Sequence, residues 1–484
     1  MVFSSLIFLF AYLPLTLAVY FVVPLKLRNL ALFVLSLLFY GWGEPLYIIV
    51  MLFSVTSAYS LGFFIEKYKH TNKNLSRTFL IISLSLNLLL LAFFKYYNFF
   101  ASNLSLIPFL NGKISTISEI SINLFGKIYT TDFSLPIGIS FYTFQIMSYS
   151  IDLYRSDAEL QKNYISFGTY VTLFPQLVAG PIVRYKDIDS QLSGRKESAE
   201  LFADGVRRFC CGLGKKILLG DAASSLYEYF KSANEFEGSV LCAWMIMICY
   251  TLHIYFDFSG YSDMAIGLGK MFGFTFPENF NYPYISKSIT EFWRRWHISL
   301  STWFREYVYI PLGGNRKGIV KQLRNIFIVW FLTGFWHGAG WNYILWGLYF
   351  GVILMAEKLF LLKLYEKIPR AVMHLWTLLL ICIGWVIFSF TDVSEGITQI
   401  GMLFGIGART FASKTVLYQV LRSVLLLALC AIGSTPYPKK FISKLSKKHG
   451  FVSVIISIAA IGVLFICTAY LADSTFSPFL YYIF

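Results

Sequence analysis

Charged residues are scarce in this chain. Asp, Glu, Lys and Arg make up only 14% of its 484 residues, whereas about a quarter of the residues in an average soluble domain are charged. Hydrophobic residues account for 57% of the chain and include 48 Phe. This balance excludes an ordinary water-soluble globule and indicates a polytopic membrane protein.

Cysteine patterns typical of metal sites or disulfide frameworks are also missing. The seven cysteines show no CxxC pair and no Cys/His zinc spacing. Most of them lie in apolar runs, where a cysteine behaves as a small hydrophobic residue. We therefore expect no metal site and no tightly bound cofactor.

What the chain has instead is a series of apolar runs, many of them close to the roughly 20 residues that a helix needs to cross a bilayer. The first run, residues 2–24, lacks a basic N-terminal region and a small-residue cleavage site, so we interpret it as a retained span. Further spans are predicted near residues 29–43, 46–65, 79–97, 133–151, 213–231, 238–258, 322–338, 341–362, 371–391, 415–434 and 450–471. The expected fold class is an all-α polytopic membrane protein with about 11–12 transmembrane helices.

Basic residues are distributed unevenly among the predicted loops. If the N-terminus lies outside and the spans alternate, 34 of the 41 Lys and Arg residues fall in inside loops. Such a bias favours this topology over its inverse. Orientation in the bilayer thereby accounts for the net charge of +15, and nucleic acid is not an expected partner.

Two segments do not read as simple crossings. Residues 165–183 are apolar but contain Pro175 and Pro181, which break helices, and both flanks belong to inside loops. We expect this segment to enter and leave on one side, packed in protein or lining a cavity. Residues 286–312 mix arginines with tryptophans and predict an amphipathic segment at or near the inner interface.

The charge-free run 325–356 must bend. As one helix it would be ~48 Å long, well beyond a ~30 Å hydrocarbon core. The sequence Gly338-Ala339-Gly340 is the expected position of the bend, which would place His337 at a helix end.

Two histidines lie in tryptophan-rich surroundings between residues 291 and 347. His337 is inside the charge-free run, and an ionisable residue within a membrane is a candidate functional residue by default. His297 follows paired arginines, and helical spacing would place Trp293 and Ser301 on the same face as His297.

A second polar pair lies in another predicted span. His253 and Asp257 are four residues apart, so a buried His–Asp hydrogen bond is predicted, with a role in catalysis or substrate binding as one interpretation. A structural clasp between helices is at least as good an interpretation.

Four motifs carry a resemblance to a known family: FWRRWHISLSTWFREYVYIPLGGNR, LTGFWHGAGWNYILWG, LPIGISFYTFQIMSYSIDLYR and FPQLVAGPIVRY. In these motifs the chain resembles the membrane-bound O-acyltransferase (MBOAT) superfamily, most of all its bacterial alginate O-acetylation branch. The resemblance implies helices around a central funnel or tunnel, with further re-entrant or interfacial helices. An essential histidine of the family matches His337, and a second motif histidine matches His297, so both are candidate catalytic residues.

The same resemblance implies the domain organisation. We expect one membrane-embedded acyltransferase domain over residues 1–484, with its motif-bearing core at about 133–350 and C-terminal helices at 371–484.

The implied activity is O-acylation across the bacterial cell membrane. An acetyl group would pass from cytoplasmic acetyl-CoA, a substrate, towards an extracytoplasmic polysaccharide. The resemblance also implies an extracytoplasmic SGNH-hydrolase-like transferase as partner. The outside loops are too short to hold a catalytic domain, which agrees with the need for a partner. Alginate, peptidoglycan, cellulose-like and other secreted polymers all remain open as acceptors.

The residues around His337 suit acyl transfer. The reaction needs a group that takes the hydroxyl proton, and a neutral imidazole is the usual choice. Burial beside Trp336 and Trp341 would keep the imidazole neutral. The N–H groups of Asn342, Trp336 and Trp341 are expected donors to a developing oxyanion. A histidine bonded to a carbonyl in the core is the structural alternative.

A basic, aromatic patch is the predicted binding site for coenzyme A. It comprises Arg294, Arg295 and Arg305 with Trp293 and Trp296, and guanidinium groups bind phosphates well. The alternative is an interfacial segment whose arginines contact lipid phosphates.

Two other functions remain open. D-alanyl transfer to teichoic acid belongs to the same superfamily, but the PLGGNRKG turn at 311–318 resembles the alginate-type branch more closely. A transporter or flippase of lipid-linked sugar is the other alternative. Internal repeats, which transporters often show, are not evident here.

Overall fold

The computed structural model describes residues 1–110, 112–124 and 127–473. This part of the chain is almost entirely helical, and its one pair of strands forms an antiparallel hairpin. The strands β1 (Glu119–Leu124) and β2 (Lys127–Asp132) pair with Glu119 opposite Asp132. Residues 474–484, the end of the predicted C-terminal region, lie outside the described residues.

The helices follow the apolar runs. In chain order they are α1 (Leu13–Val22), α2 (Arg28–Gly41), α3 (Ile48–Lys69), α4 (Lys73–Leu104), α5 (Ile139–Arg155), α6 (Tyr164–Thr172), α7 (Phe174–Leu177), α8 (Tyr185–Gly194), α9 (Ala199–Gly214), α10 (Ala222–Glu237), α11 (Val240–Met271), α12 (Ile289–Trp293), α13 (Ile298–Phe304), α14 (Ile319–His337), α15 (Trp341–Ala356), α16 (Leu362–Tyr365), α17 (Arg370–Ser389), α18 (Val393–Leu403), α19 (Lys414–Gly433), α20 (Tyr437–Lys448) and α21 (Phe451–Asp473). Short π-helical segments precede α1, join α9 to α10 and α15 to α16, and follow α13.

Every predicted span is occupied by helix. Among the described residues, seven helices are long and apolar enough to cross a membrane: Ile48–Lys69, Lys73–Leu104, Val240–Met271, Trp341–Tyr365, Arg370–Ser389, Lys414–Gly433 and Phe451–Asp473. Some of the others are short, such as α2 with 14 residues and α5 with 17. The prediction of an all-α, multi-pass membrane protein is confirmed.

Contacts divide the described chain into two compact units. One comprises residues 1–203 and 268–276, and the other comprises 204–267 and the described residues from 277 onward. In the first unit α3 packs on α4, both pack against α5, and α2 packs on α6. A single functional domain over 1–484 stays a prediction.

The apolar segment 165–183 is broken, as its prolines predict. Helix α6 ends at Thr172, Leu173 leaves the helical conformation, and α7 continues for only four residues. Residues 167–183 are all buried. Irregular backbone at this place is therefore packed in protein, which meets the physical requirement for such a segment in a membrane protein.

In the second unit α9 and α11 touch backbone to backbone. A Cβ atom added to Gly212 would lie 2.5 Å from the carbonyl oxygen of Gly260. Ion pairs strengthen this contact, since Asp263 of α11 pairs with Arg208 of α9 at 2.8 Å and with Lys215, the first residue of the following π-helical segment, at 2.6 Å. Small residues allow such close helix contacts in membranes, and the contact fixes α11 beside the candidate site.

A helical hairpin of α14 and α15 forms the other side of that site. A Cβ atom on Gly334 would lie 2.4 Å from the carbonyl oxygen of Tyr343, and one on Gly347 would lie 2.5 Å from that of Trp330. The glycines of the LTGFWHGAGWNYILWG motif therefore let the two helices pack at backbone distance. Helix α17 packs on the outer side of α15.

Candidate active site

The predicted bend lies where the sequence placed it. Helix α14 ends at His337, and α15 begins at Trp341. Gly338 adopts an extended conformation, and a Cβ atom there would lie 2.2 Å from the ring of Tyr343. Any side chain at Gly338 would displace that ring, so the turn that ends α14 needs glycine.

Aromatic rings enclose the His337 imidazole. Ring centroids lie 5.0 Å away for Trp336, 4.9 Å for Trp346 and 5.5 Å for Phe388, all in edge-to-face orientation. The residue is buried, with 4% of its surface exposed. Close packing on several sides restricts the ring to one orientation, and the imidazole lines an internal cavity.

His297 does not lie within a helix, which corrects the predicted helical face. Helix α12 ends at Trp293, α13 begins at Ile298, and His297 has a left-handed φ of 42°. The Ile298 N–H donates to the carbonyl oxygen of Asn279 at 3.0 Å and therefore makes no hydrogen bond of the kind that continues a helix. A non-glycine residue in this conformation is strained, and such strain is common at functional sites.

Asn279 determines which nitrogen of His297 carries the proton. Its Oδ1 lies 3.0 Å from His297 Nδ1 and also accepts hydrogen bonds from Ser299 N at 3.3 Å and Ser299 Oγ at 2.9 Å. Because a backbone N–H can only donate, the atom facing Ser299 N is the amide oxygen and His297 Nδ1 must be the donor. In a neutral ring, Nε2 then carries the lone pair.

The Nε2 atom of His297 is buried and has no hydrogen-bond partner among the residues that the structure describes. His297 lies outside the seven apolar helices, and burial lowers the pKa of its imidazole to about 3. A low-dielectric surrounding disfavours the charged form. His297 is therefore neutral at physiological pH and presents an unoccupied proton acceptor.

Both histidines line one cavity of about 290 Å³. Its lining is apolar and aromatic around the histidines and basic elsewhere; it comprises Thr290, Trp293, Arg294, Trp296, His297, Leu300, Ser301, Phe304, Arg305, Tyr309, Ile326, Val329, Trp330, Thr333, His337, Leu354 and Lys358. Arg294, Arg305 and Lys358 are exposed. The volume is near the lower end of roughly 300–1,000 Å³ typical of small-molecule sites, so the cavity suits an acyl thioester group rather than a whole nucleotide.

Trp293 supplies a donor that the sequence did not single out for this role. Trp293 lines this cavity, and its indole Nε1 is buried and has no hydrogen-bond partner among the described residues. The Glu357 carboxylate holds α12 in place, since it accepts hydrogen bonds from Ile289 N at 2.7 Å and Thr290 N at 2.8 Å. A carboxylate at a helix N-terminus is stabilising. Two residues that line this cavity, Trp293 and His297, thus each have a buried ring nitrogen without a partner among the described residues.

Four predicted site residues have other surroundings. Arg295 points away from the cavity and bonds to Glu291 Oε1 at 3.0 Å and to a backbone carbonyl. The Asn342 amide donates to the carbonyl oxygen of Phe388 at 3.0 Å. Trp341 is 54% exposed, whereas Trp336 packs beside both histidines without lining the cavity. Asn342 and Trp341 are therefore not placed as oxyanion donors, and the predicted basic patch is divided.

The expected hydrogen bond between His253 and Asp257 is not formed. His253 Nδ1 lies 3.1 Å from the carbonyl oxygen of Gly220, and Asp257 pairs with Lys216 at 3.3 Å. A π-helical segment, Lys215–Asp221, brings both partners to α11. Neither His253 nor Asp257 lines the cavity of the two histidines. Each residue instead joins α11 to the π-helical segment, as in the alternative interpretation of a clasp between helices.

Three residues of the site were missed from the sequence. Asn279 lies 18 residues before its histidine, and Glu357 and Lys358 lie on the far side of the helical hairpin. For Glu357 and Lys358 the sequence signal was a Glu beside a Lys at the end of a charge-free run. It pointed to no particular partner.

Comparisons with known proteins show what this chain is similar to. The family model described as MBOAT, membrane-bound O-acyltransferase family, matches residues 34–399. A probable alginate O-acetylase AlgI of Pseudomonas putida is 40% identical over 410 residues, which cover 84% of this chain and 81% of that protein. A peptidoglycan O-acetyltransferase of Helicobacter pylori is 32% identical, with 84% and 80% covered. A teichoic acid D-alanyltransferase of Bacillus subtilis is 33% identical, but the match covers only 52% of this chain and 68% of that protein.

Proposed function

The chain belongs to the membrane-bound O-acyltransferase family, and we propose that it moves acetyl groups from acetyl-CoA across the cell membrane for O-acetylation of an extracytoplasmic polysaccharide. The observation that carries the proposal is the cavity shared by His297 and His337, with exposed cations in its lining. Relatives named as acetyl-transferring enzymes match most of the chain. The D-alanyltransferase relative matches about half of it, which favours acetyl over D-alanyl transfer.

The donor enters, on this proposal, from the cytoplasmic side. Arg294, Arg305 and Lys358 are exposed at the cavity and would bind coenzyme A phosphates, which guanidinium groups recognise well. The pantetheine arm would then extend inward, and one of its amide N–H groups would donate to His297 Nε2. His297 would thereby hold the thioester near His337.

His337 is proposed as the general base. The acceptor hydroxyl oxygen attacks the thioester carbonyl carbon while His337 takes the hydroxyl proton. The carbonyl oxygen becomes an oxyanion, which the Trp293 Nε1–H would stabilise. Collapse of this intermediate breaks the carbon–sulfur bond, and the coenzyme A thiolate leaves with the proton from His337. No metal is needed in this sequence of steps.

A second protein is proposed to complete the transfer to polymer. The longest outside loop predicted from the sequence, residues 98–132, contains the end of α4 and a two-stranded hairpin among its described residues. We propose an SGNH-hydrolase-like transferase as the extracytoplasmic partner. We also propose that the chain lies in the inner membrane with its N-terminus on the extracytoplasmic side.

The proposal is tested in cells that lack their own transferase. Acetyl esters on the secreted polymer are measured after expression of the unaltered chain, His337→Ala, or the control His70→Ala, whose histidine is exposed and outside the cavity. His337→Ala should lower polymer acetylation by about 10²–10⁴-fold, the usual contribution of a general base, at unchanged amounts of protein in the membrane. Normal acetylation by His337→Ala would contradict the proposal.

A further inference from the structure

A second cavity, of about 620 Å³, lies against α20 and is strongly basic. Its lining consists of Asn281, Tyr282, Ile285, Arg295, Pro436, Lys439, Lys440, Ser443, Lys444 and Lys447. Five of these residues are cations and none of them is acidic. The four lysines are exposed and form no ion pair among the residues that the structure describes. Cations gathered in this way repel each other unless an anion joins them.

Helix α20 is amphipathic around this cavity. Its lysines face the cavity, whereas Tyr437, Phe441 and Leu445 lie at helical spacing and are exposed by 72%, 68% and 39%. The helix joins α19 to α21, both of which are long and apolar enough to cross a membrane. A helix with that connection and composition lies at the membrane surface, with its apolar side in the acyl region and its lysines at headgroup level.

Arg295 connects this cavity to the candidate active site through the chain. Its guanidinium is held by Glu291 at 2.9 Å and by the carbonyl oxygen of Asn281 at 3.1 Å. Its neighbours Arg294 and Trp296 line the cavity of the two histidines instead. One short segment therefore separates the two cavities. The second cavity is lined by a bonded arginine from this segment and by exposed lysines from α20.

We propose that the second cavity binds the phosphate headgroup of an anionic membrane lipid. Its lining offers five donors of positive charge to a phosphate, and the adjacent apolar face of α20 supplies a surface for acyl chains. Coenzyme A phosphates are proposed to bind elsewhere, at Arg294, Arg305 and Lys358. This inference goes beyond the proposed function and does not depend on the acyl group transferred.

The test measures retention of phosphatidylglycerol by the purified full-length chain, using native mass spectrometry. The cavity variant is Lys440→Gln/Lys444→Gln/Lys447→Gln, and the matched control is Lys317→Gln/Lys321→Gln/Lys448→Gln, which removes equal charge outside the cavity lining. Each lysine near a surface contributes enough attraction that the cavity variant should retain phosphatidylglycerol about tenfold less. The control should retain it like the unaltered chain.

Two measurements distinguish the lipid from coenzyme A. The KM for acetyl-CoA in proteoliposomes should be unchanged in the cavity variant, and a marked increase would overturn the assignment to lipid. Equal retention by the two triple variants would also overturn it. On the unaltered chain, raised salt should release bound phosphatidylglycerol because it screens exposed charges; retention that is independent of salt would refute a site built on these lysines, even if the variant failed to fold.

Discussion

Replacing Asn279 with Ala tests whether the tautomer of His297 matters. The change removes one oxygen that accepts hydrogen bonds from His297 Nδ1, Ser299 N and Ser299 Oγ. A buried donor left without a partner costs about 1–3 kcal/mol. His297 would then rotate or bind its proton at Nε2, and it would no longer present an acceptor to the donor substrate. At about 1.4 kcal/mol per tenfold change, kcat/KM for acetyl-CoA should fall about 5- to 150-fold.

Ser299→Ala is the matched control for this prediction. It removes the 2.9 Å hydrogen bond from Ser299 Oγ to the same Asn279 oxygen but leaves the contact with His297. The assay is acetyl-CoA turnover by purified protein in proteoliposomes. Near-normal turnover by Ser299→Ala with a large loss in Asn279→Ala is expected. Equal losses in both variants, or none in Asn279→Ala, would refute the reasoning.

Asn279→Asp adds a pH signature to the same experiment. In the unaltered chain the pKa of His297, lowered by burial to about 3, keeps the ring neutral across the working range. A carboxylate beside the ring favours the imidazolium and raises that pKa. The Asp variant should therefore lose activity as pH falls and recover it as pH rises, because the imidazolium Nε2 cannot accept a hydrogen bond.

Three further predictions concern the N–H donor to the oxyanion, the binding of coenzyme A phosphates and the membrane topology. Trp293→Phe should lower kcat by about 10²–10³-fold, the loss typical of one oxyanion donor, with little change in KM; a change in KM alone would contradict this role. Arg294→Gln should raise the KM for acetyl-CoA by about tenfold. The control Arg316→Gln changes an exposed arginine outside both cavities and should leave this KM unchanged. Equal effects of the two variants would favour the alternative in which Arg294 contacts lipid phosphates. In a cysteine-free background, an impermeant thiol reagent applied outside should label cysteine at Ser105 and spare it at Ser446; the reverse labelling would overturn the topology.

Much of the fold could be predicted because the signals are local. An apolar run predicts a helix wherever the bilayer requires internal backbone hydrogen bonding. The length of the run 325–356 showed that it must bend, and its glycines indicated the position at Gly338–Gly340. His337 was found because it is a polar residue in a charge-free run. The hairpin at residues 119–132 carried no comparable signal and was not predicted.

The geometry around His297 could not be predicted because it depends on distant contacts. Helical spacing is valid only in a continuous helix, and the left-handed conformation of His297 ends that continuity. The adjacent Arg294 and Arg295 also line different cavities, because successive residues of a chain point in different directions. The tautomer depends on Asn279, and the position of α12 depends on Glu357, which is 67 residues beyond Thr290. No local pattern specifies such pairings.

The central claim is that acyl transfer takes place in the cavity of the two histidines with acetyl-CoA as donor. The most direct measurement is release of free coenzyme A thiol from acetyl-CoA by the purified chain in proteoliposomes, with the acceptor partner supplied. The unaltered chain should release thiol, and His337→Ala should release it only at the background rate while still binding acetyl-CoA. Thiol release by His337→Ala at the rate of the unaltered chain, or none by either, would contradict the account.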